Sequence, residues 1–123
     1  MKVEEMSSSQ MERIVTERML ELGVPAHLKG YHYLREAIVL TAFDMDMVSS
    51  VTKVLYPAVG RKFVVEGGRV ERAIRNAIEV AWERGDTKRF QVLFAYSKET
   101  GCARPTNSEF IARIADQIRL DFI

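Results

Sequence analysis

The sequence predicts an all-α domain, and three observations carry that prediction. Apolar residues recur at three- and four-residue spacings through successive segments, helix start and stop residues fall between those segments, and nowhere do apolar and polar residues alternate as they would along a half-buried strand.

The first helix is expected over residues 7–22, where Met11, Ile14, Val15, Met19 and Leu22 form one stripe with Glu and Arg between them. Gly23 and Pro25 stop it, glycine because it tolerates a left-handed end and proline because it cannot continue the ladder. Residues 1–7 ahead of it are expected to be disordered. A second helix is expected over residues 29–43 through Tyr33, Leu34, Ala37, Ile38 and Thr41, with Asp44 and Asp46 interrupting it. Ser49 or Ser50 can cap the segment 51–56, and Pro57 suits the first turn of a short helix reaching Phe63. Residues 64–68, which include Gly67 and Gly68, read as a turn. From 69 to 84 the pattern is cleanest: Val70, Ala73, Ile74, Ala77, Ile78 and Ala81 share a face, and Gly85 with Asp86 ends it. A short helix over 87–95 and a loop over 97–104 follow. Thr106 with Glu109 three residues later forms a capping box for a last helix whose stripe is Phe110, Ile111, Ile114, Ala115 and Ile118.

With 123 residues, 47% hydrophobic and 28% charged, the chain is read as a single domain with an ordinary core. Its apolar runs fall far short of the roughly 20 residues that span a bilayer, so a cytoplasmic protein without a membrane partner is expected. The lone cysteine, Cys102, has no partner for an internal disulfide, and His27 and His32 have no third ligand at metal-binding spacing; no metal or other cofactor is expected. Asp44 and Asp46 lack the other oxygen ligands and the glycine of a calcium loop. Nothing resembles a nucleophile with its base or a pair of catalytic carboxylates, so no enzymatic activity is expected. The net charge of +1 conceals an asymmetry, since residues 53–89 hold nine Lys/Arg against five Asp/Glu. The positive charge thus gathers where the most informative helix lies.

That helix, the turn before it and the short helix starting at Pro57 have the order and lengths of a helix-turn-helix, which lays one helix across the DNA backbone and pushes the next into the major groove. Arg72, Arg75, Asn76 and Glu79 lie on the expected exposed side, with Arg69 and Glu71 at its margins. Arginine can donate two parallel hydrogen bonds to guanine, asparagine can bracket adenine, and glutamate can accept from the cytosine amino group. Lys53, Arg61 and Lys62 suit phosphate neutralisation instead, as do Gly68 and Arg69 at the start of the helix. The competing reading takes Glu71–Arg75 and Arg75–Glu79 as four-apart ion pairs on a solvated helix, worth about 0.2–0.5 kcal/mol each.

Six ordered blocks go further than pattern: GVPAHLKGY (23–31), YLREAI (33–38), TKVLYP (52–57), RVERAIR (69–75), AIEVAW (77–82) and PTNSEFIA (105–112). Together they resemble the C-terminal effector domain of the stage-zero sporulation protein A family, the master response regulators of endospore formation, from about residue 15 to 120. The resemblance implies a six-helix domain that binds double-stranded DNA at a TGTCGAA-like element, activating or repressing promoters, with Glu71, Arg72 and Arg75 facing bases. It implies pairing of two copies in tandem on DNA, contact with the sigma subunit of RNA polymerase through Gly85, Arg89, Gln91 and Phe94, and control by a phosphorylated receiver domain that this sequence does not contain. An aromatic at the position of Phe94 is also a core candidate, as is Trp82.

The chain departs from the family pattern at three places. Residues 64–68 read VVEGG where the family has NTTAS, which removes a hydroxyl cap and brings Glu66 near the expected phosphates. Asn76 stands in place of histidine, so one base position is expected to be read differently. Gly60 stands in place of alanine, a change expected to cost about 1 kcal/mol of helix propensity. Set against specific DNA reading is a protein-interaction module that keeps the fold but has lost it, for which Glu66 and the two glycines argue.

Overall fold

The computed structural model describes residues 1–85, 87–94 and 104–123. Among them six α-helices follow one another: α1 (Ser8–Glu21), α2 (Lys29–Phe43), α3 (Tyr56–Phe63), α4 (Gly67–Arg84), α5 (Thr87–Phe94) and α6 (Asn107–Asp121). A 3-10 segment at Met45–Ser50 and a π-helical turn at Val51–Leu55 lead directly into α3. No strand occurs among the described residues, so the class is all-α as expected. Asp86, Cys102 and the expected loop up to residue 103 lie outside the described residues.

Local chemistry explains the helix ends. Ser7 and Gln10 form a capping box, the Gln10 N–H donating to Ser7 Oγ at 3.1 Å and the Ser7 N–H to Gln10 Oε1 at 2.8 Å, which satisfies two donors that no helical carbonyl can reach. Gly23 takes the left-handed conformation (φ 78°) and lets the Val24 N–H reach the Met19 carbonyl at 3.1 Å, closing α1. The capping box expected at α6 is formed, with the Glu109 N–H 3.2 Å from Thr106 Oγ1 and the Thr106 N–H 3.0 Å from Glu109 Oε1.

Helix α2 is central and packs against α1, α4 and α6. Its burial is wider than the expected stripe: Tyr31, Val39 and Ala42 are buried in addition to Tyr33, Leu34, Ala37, Ile38 and Thr41. A helix covered on most sides needs apolar residues around most of its circumference. Full burial of each large side chain, among them Met11, Leu34, Ile38, Ile74 and Phe110, stabilises by about 1.5–3 kcal/mol. Helices α2 and α4 approach through Gly30, where an added Cβ would stand 1.9 Å from the Ala73 carbonyl oxygen.

The N-terminal residues correct an expectation. Instead of being disordered, residues 3–5 form a 3-10 turn, with Val3 and Met6 buried in the core. Arg119 of α6 fastens this segment, donating to Glu4 Oε1 at 2.9 Å and to the Ala42 carbonyl at 2.7 Å. Two buried apolar side chains offset the entropy of ordering so short a stretch, a tertiary effect with no periodic sequence signal.

Candidate nucleic-acid interface

The turn between α3 and α4 is built from residues 64–66. Val64 lies in the left-handed region (φ 58°, ψ 51°), and the Val65 N–H folds back to the Gly60 carbonyl at 3.0 Å. This closure brings the Val65 carbonyl oxygen within 2.4 Å of where a Cβ on residue 60 would be. Gly60 is therefore a packing requirement of this turn, and the propensity cost expected from sequence alone omits that steric constraint. Helix α4 begins at Gly67, two residues before the expected start. The N-cap is Glu66, whose carbonyl accepts from the Arg69 and Val70 N–H groups at 3.0 and 3.2 Å and whose side chain makes no cap bond. The position at which a hydroxyl cap is absent is thus 66.

Along α4, Val70, Ile74, Ala77, Ile78 and Ala81 are buried, while Gly68, Arg69, Arg72, Arg75 and Asn76 are exposed on the opposite side. The side chains of Arg69 and Arg72 form no ion pair or hydrogen bond with any other described residue. Arg72 lies over Gly68, where an added Cβ would stand 3.4 Å from its Nη1. Arg75 is paired with Glu71 one turn earlier, which fixes its guanidinium on the exposed face. Glu79, further along, is paired with Arg104 at 3.2 Å. The face therefore carries three arginines and an asparagine within its first three turns, a donor-rich set that matches guanine and adenine edges.

The expected phosphate residues divide. Arg61 and Arg69 line one shallow groove beside the turn, together with Val64 and Glu66. Lys53 is exposed on the π-helical turn. Lys62 points to the other side of α3, with its ammonium 3.0 Å from Glu36 and 3.8 Å from Glu12, so its charge is offset within the protein.

Sequence reasoning missed a residue that ties this face to the rest of the fold. Asn107, the first residue of α6, donates to the Tyr56 hydroxyl at 3.1 Å and to the Glu71 carbonyl at 3.0 Å. Tyr56 is buried, and that burial pushes its phenol pKa up, opposed by the Asn107 hydrogen bond and the nearby Arg75 charge. Thirty-six residues separate Asn107 from Glu71, so no local pattern could have paired them.

The four residues carried over for sigma contact are not equivalent. Gly85 is enclosed, since a Cβ there would stand 2.4 Å from the Ala81 carbonyl oxygen and 2.6 Å from that of Leu22. Phe94 is half-buried, stacking on Phe110 at 5.4 Å and lying 5.8 Å from Phe90. Arg89 and Gln91 are exposed, Arg89 reaching Glu21 at 3.3 Å. Trp82 packs edge-on against Phe90 at 5.3 Å. His27 and His32 are exposed, and the described residues contain no group of three His, Cys, Asp or Glu arranged to hold a metal. No helix among the described residues is long and apolar enough to cross a membrane.

A family model described as "Sporulation initiation factor Spo0A C terminal" matches residues 15–118. The match contains both helices of the turn, the arginine-bearing face and Asn107. Its members are DNA-binding transcription regulators of sporulation, not a type of enzyme. Matched over most of its 123 residues, with the helical fold and exposed basic helix that such a function requires, the chain belongs to the Spo0A C-terminal family of DNA-binding effector domains.

Proposed function

We propose that α4 enters the major groove and reads a TGTCGAA-like element, with Arg72, Arg75 and Asn76 on base edges and Glu71 both holding Arg75 and accepting from a cytosine amino group. The observation that carries this reading is the exposed row Arg69, Arg72, Arg75 and Asn76 on a helix whose other face is sealed into the core. Arg61, Lys53, Arg69 and the exposed amides at Gly68 neutralise or bond phosphates, giving affinity without sequence choice. Arg89 and Gln91 on α5 are the accessible residues for the sigma subunit, Gly85 and Phe94 serving mainly to shape that helix. Two copies bind side by side on adjacent elements, each raising the local concentration of the other.

The test is fluorescence anisotropy of the chain with a duplex holding two TGTCGAA-like elements and with a scrambled duplex, at two salt concentrations. The element is expected to bind at least about tenfold more tightly, and Arg72→Ala or Arg75→Ala to remove that preference, as loss of a base contact worth about 1–3 kcal/mol would do. Equal, weak binding to both duplexes refutes base reading. It favours an interaction module, for which the exposed carboxylate of Glu66 beside the phosphate groove is the supporting observation.

A further inference from the structure

We propose that Asn107 is a positioning residue for base reading, a single carboxamide that sets the pose of both helices of the helix-turn-helix; the proposal rests on the DNA-reading role of α4. Its two acceptors lie on different helices, the Tyr56 hydroxyl at the first residue of α3 and the Glu71 carbonyl in the second turn of α4. A main-chain carbonyl can only accept, so the group facing Glu71 is the side-chain NH2, and its two hydrogens serve the two acceptors. The Glu71 carbonyl is also the one to which the Arg75 N–H belongs by helix geometry. Asn107 therefore bears on the peptide unit at the base of the Glu71–Arg75 pair, and lines one groove with both side chains.

The amide is held from behind. Pro105 is buried, and the reciprocal bonds between Thr106 and Glu109 fix the backbone from which Asn107 projects. Tyr56 is itself buried, so its hydroxyl is a fixed acceptor and not a swinging one. A side chain anchored at its root and bonded at both acceptors transmits the position of α6 to α4 with little slack. Placement matters because bidentate contacts to a base edge tolerate only small displacements of the helix that presents them.

The experiment compares Asn107→Asp, which keeps the shape but replaces the donor with a carboxylate facing a carbonyl, with the parent chain at a temperature where both are folded by circular dichroism. Asn107→Asp is expected to reduce discrimination between the TGTCGAA-like and scrambled duplexes by about fivefold or more; its added negative charge weakens both duplexes alike, so the readout is the ratio of the two affinities. Hydrogen exchange is expected to speed up at the amides of residues 71–76 while those of α2 stay protected. A merely structural asparagine would lower the melting temperature and leave discrimination within twofold of the parent, and that result overturns the proposal. Should Asn107→Asp fail to fold, Tyr56→Phe removes one of the two bonds and is expected to cost about threefold in discrimination, a loss within twofold overturning the proposal. A parent chain that does not discriminate at all overturns base reading itself and this proposal with it, whereas a discriminating parent matched by its variants overturns only the role of Asn107.

Discussion

Replacing Val64 should stabilise the protein, against the usual direction of point substitutions. Val64 is the one non-glycine residue with positive φ among the described residues, and the residue is 88% exposed, so it suffers left-handed strain while contributing almost no buried surface. The left-handed conformation costs an L-residue about 1–2 kcal/mol, and branching at Cβ places valine at the upper end. Glycine removes that strain but gains about 0.5–1 kcal/mol of freedom in the unfolded chain. The net expectation for Val64→Gly is a gain of about 1 kcal/mol, or about 4 °C in melting temperature for a domain of this size. Val64→Asn, a residue that tolerates this region, should approach the same value. Val64→Ala removes the branch but keeps Cβ, so it should recover less than half. Thermal and urea unfolding followed at 222 nm would show the ranking Gly and Asn above Ala above Val, with an unchanged denaturant slope. A Val64→Gly midpoint at or below the parent's would refute the strain argument.

Three further outcomes follow from the same geometry. Gly85→Ala should destabilise by about 1–3 kcal/mol, because its Cβ meets two carbonyl oxygens, whereas Arg89→Ala and Gln91→Ala should stay within about 0.5 kcal/mol; urea unfolding separates them, and only the latter two are fit probes of sigma binding. Arg61→Gln should reduce the log–log salt slope of DNA binding by about 1, while Lys62→Gln should leave it unaltered, since Glu36 and Glu12 already engage that ammonium; anisotropy titrations across salt would read the difference. Because burial raises the Tyr56 phenol above its ordinary value near 10, the fold favours the protonated form: that stabilisation is complete below pH 10 and is lost as pH rises above it. Melting temperatures between about pH 9 and 11 should therefore fall less steeply in Tyr56→Phe than in the parent.

What could be read from sequence was what depends on neighbours in the chain. The α4 stripe at Val70, Ile74, Ala77 and Ile78, the Gly23 stop and the Thr106–Glu109 cap are all local rules, and the structure contains each of them. The base-facing candidates Arg72, Arg75 and Asn76 were legible for the same reason, since they are what remains once the buried stripe is assigned. Illegible were the effects of distant parts meeting. Nothing near Lys62 announces that Glu36 and Glu12 will claim it, and nothing near Gly60 or Gly85 shows a carbonyl pressing on it. Val64 contradicts its own preference, because the turn that joins α3 to α4 needs a left-handed residue there whatever the side chain. The ordering of residues 3–5 similarly depends on α2 and α6 having come together, with Arg119 bonded to both the Ala42 carbonyl and Glu4.

The missing side chain at Gly30 has a consequence on the far side of the molecule. Because α4 rests against bare backbone at that crossing, α2 and α4 lie closer there than any side chain on residue 30 would permit, and that spacing bears on how far the arginines of α4 stand out from the body. Any residue larger than glycine would wedge the helix outward or tilt it, altering the depth to which it can sink into a groove. A position that never approaches nucleic acid would then behave, in a genetic screen, like a base-contacting one: substitutions there would be recovered as altered promoter choice as well as lost stability, and second-site revertants would be sought at Ala73 and Ala77, the residues that press upon it.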